Sequence, residues 1–471
     1  MTIPRTTAHG LTSPRVGSNC AERKPDRQGG RSSDGAKRAE GARLGSKATK
    51  EQQEIRPDEL RKRLWALHRT MWNVTNFDRL RGCHRWIAEG AGAASLRWHE
   101  PGRASWGNLQ TSASVWASPL SAASISKTRA QEVTTALETW FNQDKRHGVE
   151  FLTLTLAHNR DQELAEVWDT LSYAWRGVVA TASWRGGKRC VGDKKEFGVA
   201  HWLKSVEVTH GDNGWHCHLH VLLFLDRELS GEERDQLETN VYNRWAKAAE
   251  RKGFKTPSRE HGVKLEKALR NKSAKDLGAY MAKGALASVA ETLAWEMTAG
   301  QTAKTGRKKG NRSPFQILDD IRKSGDTSLK NPDVQLWRIW ERESLGRRQQ
   351  AWSKGAKEAL GVTAVSDEEA EAQAEESTSA AVEVARVRFE EWNKARDNGQ
   401  KLRDDLDKRG DIVEYVGRAR TKEEAHRRAR SVLTGYGIEH DQNEKPVPIE
   451  YSPPVVLPVN KDQARELLEV G

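Results

Sequence analysis

Three histidines stand at alternate positions in the stretch GWHCHLHVLLFLD (214–226): His216, His218 and His220. A β-strand points successive side chains to opposite faces, so the three imidazoles share one face while Cys217, Leu219 and Val221 share the other, apolar one. Upstream, HWLKSVEVT (201–209) reads as a strand and HGDNG as a turn, which makes the two strands a hairpin. Counting back from a loop at Gly211–Gly214 sets His210 against Trp215, Thr209 against His216 and Glu207 against His218. Opposed residues have Cβ atoms roughly 5 Å apart. Two imidazoles and a carboxylate on one face can hold a divalent ion with coordination positions left open. The expected ligands are His218, His220 and Glu207; His216 is either a third imidazole ligand or a phosphate contact. The ligand mix suits Mn or Zn, and Mg less well because Mg prefers oxygen. The cofactor expected is a divalent metal ion, Mn or Mg. The competing reading is a polar sheet face with no ligand.

A second group lies downstream in AKDLGAYMAKG (274–284). On a helix, Asp276, Tyr280 and Lys283 lie four and three residues apart and share a face. A tyrosine hydroxyl can attack a phosphodiester whose non-bridging oxygen is polarised by a metal, with a lysine stabilising the developing charge. With a pKa of about 10 the phenolate is also a fair leaving group, so the phosphotyrosyl bond is reversible. By itself a Tyr and a Lys on an amphipathic helix are an ordinary structural pattern; the weight here comes from the histidine strand that precedes them.

The elements that must position these residues alternate between strand and helix. VEFLTLTL (149–156) alternates Leu and Thr and reads as a strand, and DQELAEVWDTLSYAWRGVVA (161–180) as a helix with Leu164, Val167, Trp168, Leu171 and Trp175 on its apolar face. A further helix starts at GEERDQLETN, GVKLEKA is a candidate strand, and 273–297 reads as a helix. The expected fold is α+β, a central antiparallel sheet covered by helices on one face. Around this core (149–297) the expected parts are a disordered basic arm over 1–55, a helical region over 56–148, a basic loop and helical extension over 298–362, and a charged helix or linker with a C-terminal tail over 363–471. Residues 84–120 offer few clear elements, and the last 60 residues are weakly patterned.

The chain has 471 residues, 36% hydrophobic and 31% charged, with a net charge of +12. That balance favours a polyanionic partner, DNA above an anionic membrane surface. No apolar run reaches the ~18 residues of a membrane span, and the N-terminus lacks a signal peptide's apolar core. Cys20, Cys83, Cys190 and Cys217 have no framework spacing, so free thiols and a cytoplasmic location are expected. Expected DNA contacts are Lys188 and Arg189, and Arg307, Lys308, Lys309 and Arg312 in the loop GRKKGNR. The eighteen tryptophans fall mostly at core spacing in helices.

These motifs together resemble the HUH endonucleases, and among them the rolling-circle replication initiator (Rep) proteins of Gram-positive, actinomycete-type plasmids. FLTLTLAH (151–158) resembles the family's first motif, VEVTHGDNGWHCHLHVLLF its second, with His218-Leu219-His220 as the His-hydrophobic-His element, and YMAKG its third, with Tyr280 as nucleophile. GNRSPFQILDDI and GRRQQAWSKGAKEALG also resemble segments that follow the nuclease core, so the likeness covers about 56–360. The resemblance implies a DNA nicking-closing endonuclease. It would bind a plasmid double-strand origin, nick one strand, keep a 5′-phosphotyrosyl link, leave a 3′-OH primer and rejoin the displaced strand, with host DNA polymerase and helicase as partners. It also implies a water-activating carboxylate one turn before the tyrosine. Asp276 stands there, and is as well read as an exposed helix residue. Relatives carry cysteines where SASVWASPLS (112–121) has Ser112, Ser118 and Ser121; serine is not a normal zinc ligand, so a ribbon-like fold without zinc is expected, retained or loosened. Cys217 stands where relatives commonly have Pro. Two alternatives are an HUH relaxase or transposase, against which the order of His motif before tyrosine weighs, and a non-catalytic metal-containing DNA-binding protein.

Overall fold

The computed structural model describes residues 57–100, 102–188, 190–268, 311–376, 381–392 and 401–441, with Ala274, Leu277, Gly278 and Met281. The expected basic arm, the end of the tail, most of 273–297 and the loop up to Gly310 lie outside the described residues.

The architecture is α+β, built on two antiparallel sheets flanked by helices. The larger sheet takes β3 (Gly148–Thr155), β4 (Val199–Gly211), β5 (Gly214–Leu225), β6 (Val263–Lys267) and β7 (Gln350–Trp352), in the order β6-β3-β5-β4-β7. The smaller one takes β1 (Ala93–His99), β2 (Arg103–Gly107) and β8 (Val382–Arg388), in the order β2-β1-β8. Helices α1 (Pro57–Val74), α2 (Asp78–Gly82) and α3 (Pro119–Gln143) precede the larger sheet; α4 (Leu164–Val179), α5 (Ala182–Arg185), α6 (Asp193–Glu196) and α7 (Gly231–Arg251) lie between its strands. Then come α8 (Pro314–Ser324), α9 (Pro332–Ser344), α10 (Ala356–Ala359), α11 (Asp367–Glu376), α12 (Lys401–Gly417) and α13 (Lys422–Gly435).

The β4–β5 hairpin turns through Asp212 and Asn213, with Gly211 paired to Gly214. Gly214 has φ +81°, and a Cβ there would lie 3.2 Å from the Arg160 backbone, so the turn suits glycine twice over. Arg160 fixes the turn from outside, donating two hydrogen bonds to the Asp212 carbonyl at 3.0 and 2.9 Å. Trp215, Cys217, Leu219, Val221, Leu223 and Leu225 all point to one face and are buried in the main core with Leu164, Val167, Trp168, Leu171 and Trp175 of α4 and Leu237, Val241 and Trp245 of α7. Trp116, Trp168, Trp215 and Trp340 pack edge-on or stacked at this end, with ring centres 5.1–6.1 Å apart. Among the described tryptophans only Trp86 is exposed, at 37%, so core packing accounts for nearly all of them.

The opposite face departs from the one-sided cover that the pattern predicts. Leu222, Phe224, Val149 and Leu203 are buried there under Val133, Ala136, Leu137 and Trp140 of α3, with Leu277, Met281, Ala356 and Leu360. This second cover ends short of His220 and leaves the histidine half of the same face outside the core cluster. An alternating strand and a strand buried on both sides are thus two halves of β5.

Two segments read as poor in structure carry the smaller sheet. Residues 93–107 form β1 and β2, and the supposed charged linker contains β8, which pairs antiparallel with β1. A register shift between Leu96 and Arg97 breaks the clean alternation in that pairing. α12 and α13 bury Ile412, Val413, Val416, Ala425, Ala429 and Leu433 in the same core as Leu96, Trp98 and Trp106. β7, within a stretch read as helical, adds an edge strand to the larger sheet by pairing with β4.

The stretch 112–121 closes on itself. Ser118 and Ser121 hydroxyls are 2.9 Å apart, Ser112 and Ser121 hydroxyls 3.0 Å, and the Cys83 thiol lies 3.6 Å from both Ser118 and Ser121. All four are buried, and His68 holds the Cys83 carbonyl at 2.9 Å. Burial opposes charge on His84, but the Cys83 sulfur and Glu371 beside it raise its pKa to about 10. Hydrogen bonds thus join Cys83, Ser112, Ser118 and Ser121 in one buried cluster.

Ser118 is also the N-cap of α3, its hydroxyl accepting from the Ser121 amide at 3.2 Å. Replacing it with Ala removes the cap and strips partners from Ser121 and Cys83, an expected loss of about 1–3 kcal/mol. Urea denaturation followed by circular dichroism measures this; an unshifted midpoint would show that the serine cluster carries no stability.

Candidate functional site

The hairpin register sets the site. Thr209 pairs with His216, Glu207 with His218 and Ser205 with His220; on the other side of β5, Thr155 of β3 pairs with His218 and Thr153 with His220. The even-numbered residues of β5 therefore face the same way as Thr153, Thr155, Ser205 and Glu207. His216, His218 and His220 are each half-buried.

Each of the two central imidazoles has a hydroxyl at one nitrogen. Thr155 Oγ1 lies 2.9 Å from His218 Nδ1, and Thr153 Oγ1 lies 3.4 Å from His220 Nδ1. If the Thr155 oxygen accepts, the His218 proton sits on Nδ1 and leaves the Nε2 lone pair for a ligand, the arrangement by which outer partners orient histidine ligands. His220 Nε2 meets Glu207 Oε2 at 2.7 Å, diagonally across the strands, and Phe151 stacks on the His220 ring at 5.4 Å. His218 and His220 rings are nearly parallel, at 14°, with centres 6.1 Å apart. Burial, then the charge of His216, pushes the His218 pKa down to about 3, with Glu207 pulling the other way. His218 is therefore neutral at physiological pH, the form that binds metals.

At the hairpin end, His216 Nδ1 contacts His158 Nε2, and His158 Nδ1 meets the Asn213 carbonyl at 3.0 Å. His158 was not expected here. It ends the stretch FLTLTLAH, and its signal was a histidine just past a strand that pairs with the histidine strand. Thr153 and Thr155 were read only as strand-formers, although their place opposite the histidines follows from alternation.

Among the described residues no three His, Cys, Asp or Glu side chains already stand as a closed cage for an ion. Glu207 instead closes on His220, and His216 on His158. The donor set nonetheless fits a divalent ion: two imidazoles whose second nitrogens have partners, a carboxylate in register, and a neutral His218. His218, His220 and Glu207 are the residues that would hold it.

Asp276, Tyr280 and Lys283 lie outside the described residues. Their neighbours do not. Leu277 and Met281 are buried in the second core, and Gly278 packs so close to α3 that a Cβ would lie 2.4 Å from Thr134 Oγ1. The Met281 carbonyl accepts from Gln350 Nε2 at 3.0 Å. Gln350 pairs with Ser205, and Ser205 with His220, so Met281 is tied to the row of the sheet that carries His220.

Of the expected DNA contacts, Arg307, Lys308, Lys309 and Arg189 lie outside the described residues, and Lys188 is exposed. Arg312 is placed differently from a surface contact. Its guanidinium bonds Asp320 at 2.9 Å and Asp333 at 2.8 and 2.9 Å, and its backbone exchanges two hydrogen bonds with His210. It pins α8 and α9 to the hairpin. Cys217 faces the core, where burial pushes its thiol up and keeps it un-ionised.

The chain is similar to Protein rep of Streptomyces lividans, 27% identical over 303 residues, with 53% of this chain and 63% of that protein covered. It thus spans less than two thirds of that relative's length. No family model matches the chain, and no solved structure matches it significantly. No helix among the described residues is long and apolar enough to cross a membrane.

The depressed pKa of His218 has a measurable sign. The unfolded chain takes up this proton near 6.5 and the folded chain near 3, so the unfolded state binds more protons between those values. Stability through His218 is whole above pH 6.5 and falls as the pH drops towards 3. In EDTA, wild type is expected to lose more stability between pH 7 and pH 5 than His218→Gln does. Equal losses in denaturant titrations would mean that His218 protonates freely in the fold.

Proposed function

We propose that this protein initiates rolling-circle replication of a plasmid, nicking one strand of the double-strand origin by tyrosine attack and later rejoining it. The observation that carries the reading is the docking of Met281, next in sequence to Tyr280, through Gln350 onto the sheet row of His220. It ties Met281, the described residue beside Tyr280 in sequence, to the strand row that carries His220. The likeness to a protein named rep supports the same reading.

In this reading DNA lies across the half of the sheet face that α3 leaves uncovered. His218, His220 and Glu207 would hold a divalent ion, Mn or Mg, whose chemistry would be to polarise a non-bridging oxygen of the scissile phosphate. Thr153 and Thr155 orient the imidazoles, and Phe151 backs the His220 ring. His216 and His158 extend the polar face towards the hairpin turn. The Tyr280 oxygen attacks phosphorus, the bond from phosphorus to the 3′ oxygen breaks, and the 3′-OH departs as a primer. Lys283 stabilises charge on the phosphate. Attack by a 3′-OH on the phosphotyrosyl bond reverses the step and closes the strand; Asp276 is placed in sequence to activate water where hydrolysis ends the reaction. Host DNA polymerase and helicase would extend and unwind from the nick.

Incubating the protein with Mn or Mg and supercoiled DNA carrying its own gene and flanks, followed by digestion and mass spectrometry, is expected to give a nucleotide-linked peptide containing Tyr280. Tyr280→Phe should abolish nicking and spare DNA binding; full nicking by that variant would rule out the nucleophile. Thr155→Val, which keeps shape and removes the hydroxyl at His218, should weaken Mn binding by about 10–100-fold. Calorimetric titration of Mn reads that directly, and an unchanged affinity would remove Thr155 from the site.

A further inference from the structure

The β4–β5 hairpin has a second face at its tip. His210 pairs with Trp215, so these two side chains leave the sheet on the side of α4, while Thr209 and His216 leave it on the side of the histidines. On the α4 side a cleft of about 490 Å³ opens between the hairpin tip, the start of α4 and α9. That volume lies within the roughly 300–1,000 Å³ of small-ligand sites. The walls are fixed in place. Arg160 is bonded to the Asp212 carbonyl, and the His210 backbone exchanges two hydrogen bonds with Arg312, whose guanidinium holds Asp333 at the start of α9.

The lining has two parts. Leu164 and Trp215, both buried, and Leu336 and Ile339, half-buried, supply an apolar floor. The rim is polar, and much of its hydrogen-bonding capacity is unused. The His210 ring lies edge-on to Trp215 with centres 4.8 Å apart, and among the described residues its nitrogens have no hydrogen-bond partner. Gln162 uses its oxygen to accept from the Asn159 amide at 2.9 Å and keeps its NH2 group. Arg342 donates from Nε to Glu343 at 2.6 Å and keeps both terminal NH2 groups. Asp161, Glu163 and Asp212 are exposed and form no ion pair among the described residues. These groups select a kind of ligand. Four carboxylates, those three and Glu343, set against the guanidiniums of Arg160 and Arg342, disfavour a phosphate. An apolar floor beside a histidine suits a flat ring, and amide, guanidinium and carboxylate groups are the ones that read base edges. A carboxylate accepts from the 4-amino group of cytosine and has no proton to offer a carbonyl at the same place.

We propose that this cleft, behind the hairpin tip from the histidines, takes one unpaired base of the bound strand and prefers cytosine, whose 4-amino group donates to a carboxylate of the rim. It rests on the reading that the chain acts on DNA. The loop from His158 to Arg160 spans the tip, with His158 against His216 on one side and Arg160 lining the cleft on the other. A strand that crosses the histidine face can turn one base over the tip, and the identity of that base then sets where the strand lies on His218 and His220.

The test compares short single strands of deoxycytidine and of deoxyuridine, which share a backbone and differ at the base edge, amino against carbonyl at position 4. In EDTA, which prevents cleavage, wild type should bind the cytidine strand about tenfold more tightly, and Asp161→Ala/Glu163→Ala should bring the two strands within about twofold by weakening the cytidine strand. Both side chains are exposed and unpaired, so the urea midpoint of the variant should hold. Equal binding of the two strands by wild type, or a preference that survives in the variant, overturns the proposal. An equal gain for both strands in the variant overturns it as well, because the carboxylates would then only repel phosphate. Crosslinking a strand that carries 5-iodocytosine, followed by digestion and mass spectrometry, should place the adduct within 160–165 or 336–343. Adducts confined to the histidine strand would remove the cleft from the path of DNA. Each of these failures leaves nicking by Tyr280 standing, whereas a wild type that binds neither single-stranded nor duplex DNA sinks the proposed function and this site with it.

Discussion

The site depends on register. A strand alternates its faces with a period of two, so sliding β5 by one residue against β4 would bury three imidazoles among Leu164, Val167 and Trp168 and expose Cys217, Leu219 and Val221. The two-residue turn at Asp212 and Asn213 prevents this, with Gly214 at φ +81° and Arg160 bonded to the Asp212 carbonyl. The hydrophobic pattern on the far face enforces the same answer independently. Two constraints of different origin thus agree on where His218 and His220 point.

The second determinant is that the sheet is covered unevenly. One face is packed along its length by α4 and α7. The other is packed by α3 only from Leu222 onward. A fully covered face would have made three histidines costly, since each imidazole would need buried partners. A bare face would have left His218 solvated, with an ordinary pKa. At the edge of the cover the rings are half-buried, and a threonine hydroxyl can serve one nitrogen of His218 and of His220. Gln350 of the edge strand donates to the Met281 carbonyl, which joins Met281 to this sheet.

The hairpin, its register and its two faces were legible in residues 201–225, because alternation, turn chemistry and one fixed count are all local. The helix α4 was legible for the same reason, from its apolar stripe. What escaped depends on distance along the chain. β8 reads as a charged helix in Glu, Ala and Arg, and only its pairing with β1 makes it a strand. β7 is three residues long, too short to show a period. The cover by α3 depends on which side of the sheet a distant helix packs. His158 and the two threonines were in plain view in FLTLTLAH, but their roles require knowing that β3 lies beside β5. Ser112, Ser118 and Ser121 stood out only against a family pattern, and their meeting with Cys83 is a property of the fold.

The closing of the smaller sheet by β8 also sets a clock. Ser95 and Glu383, joined across β1 and β8, are 288 residues apart in sequence. At a synthesis rate of about 5–20 residues per second, roughly fifteen to sixty seconds pass on the ribosome between the emergence of β1 and that of β8. For that interval β1 has β2 on one side and an open edge on the other, rich in Ala, Leu and Trp. The first half of the nascent chain must wait for the last hundred residues before its sheet is whole, and in that window it is exposed to wrong strand partners.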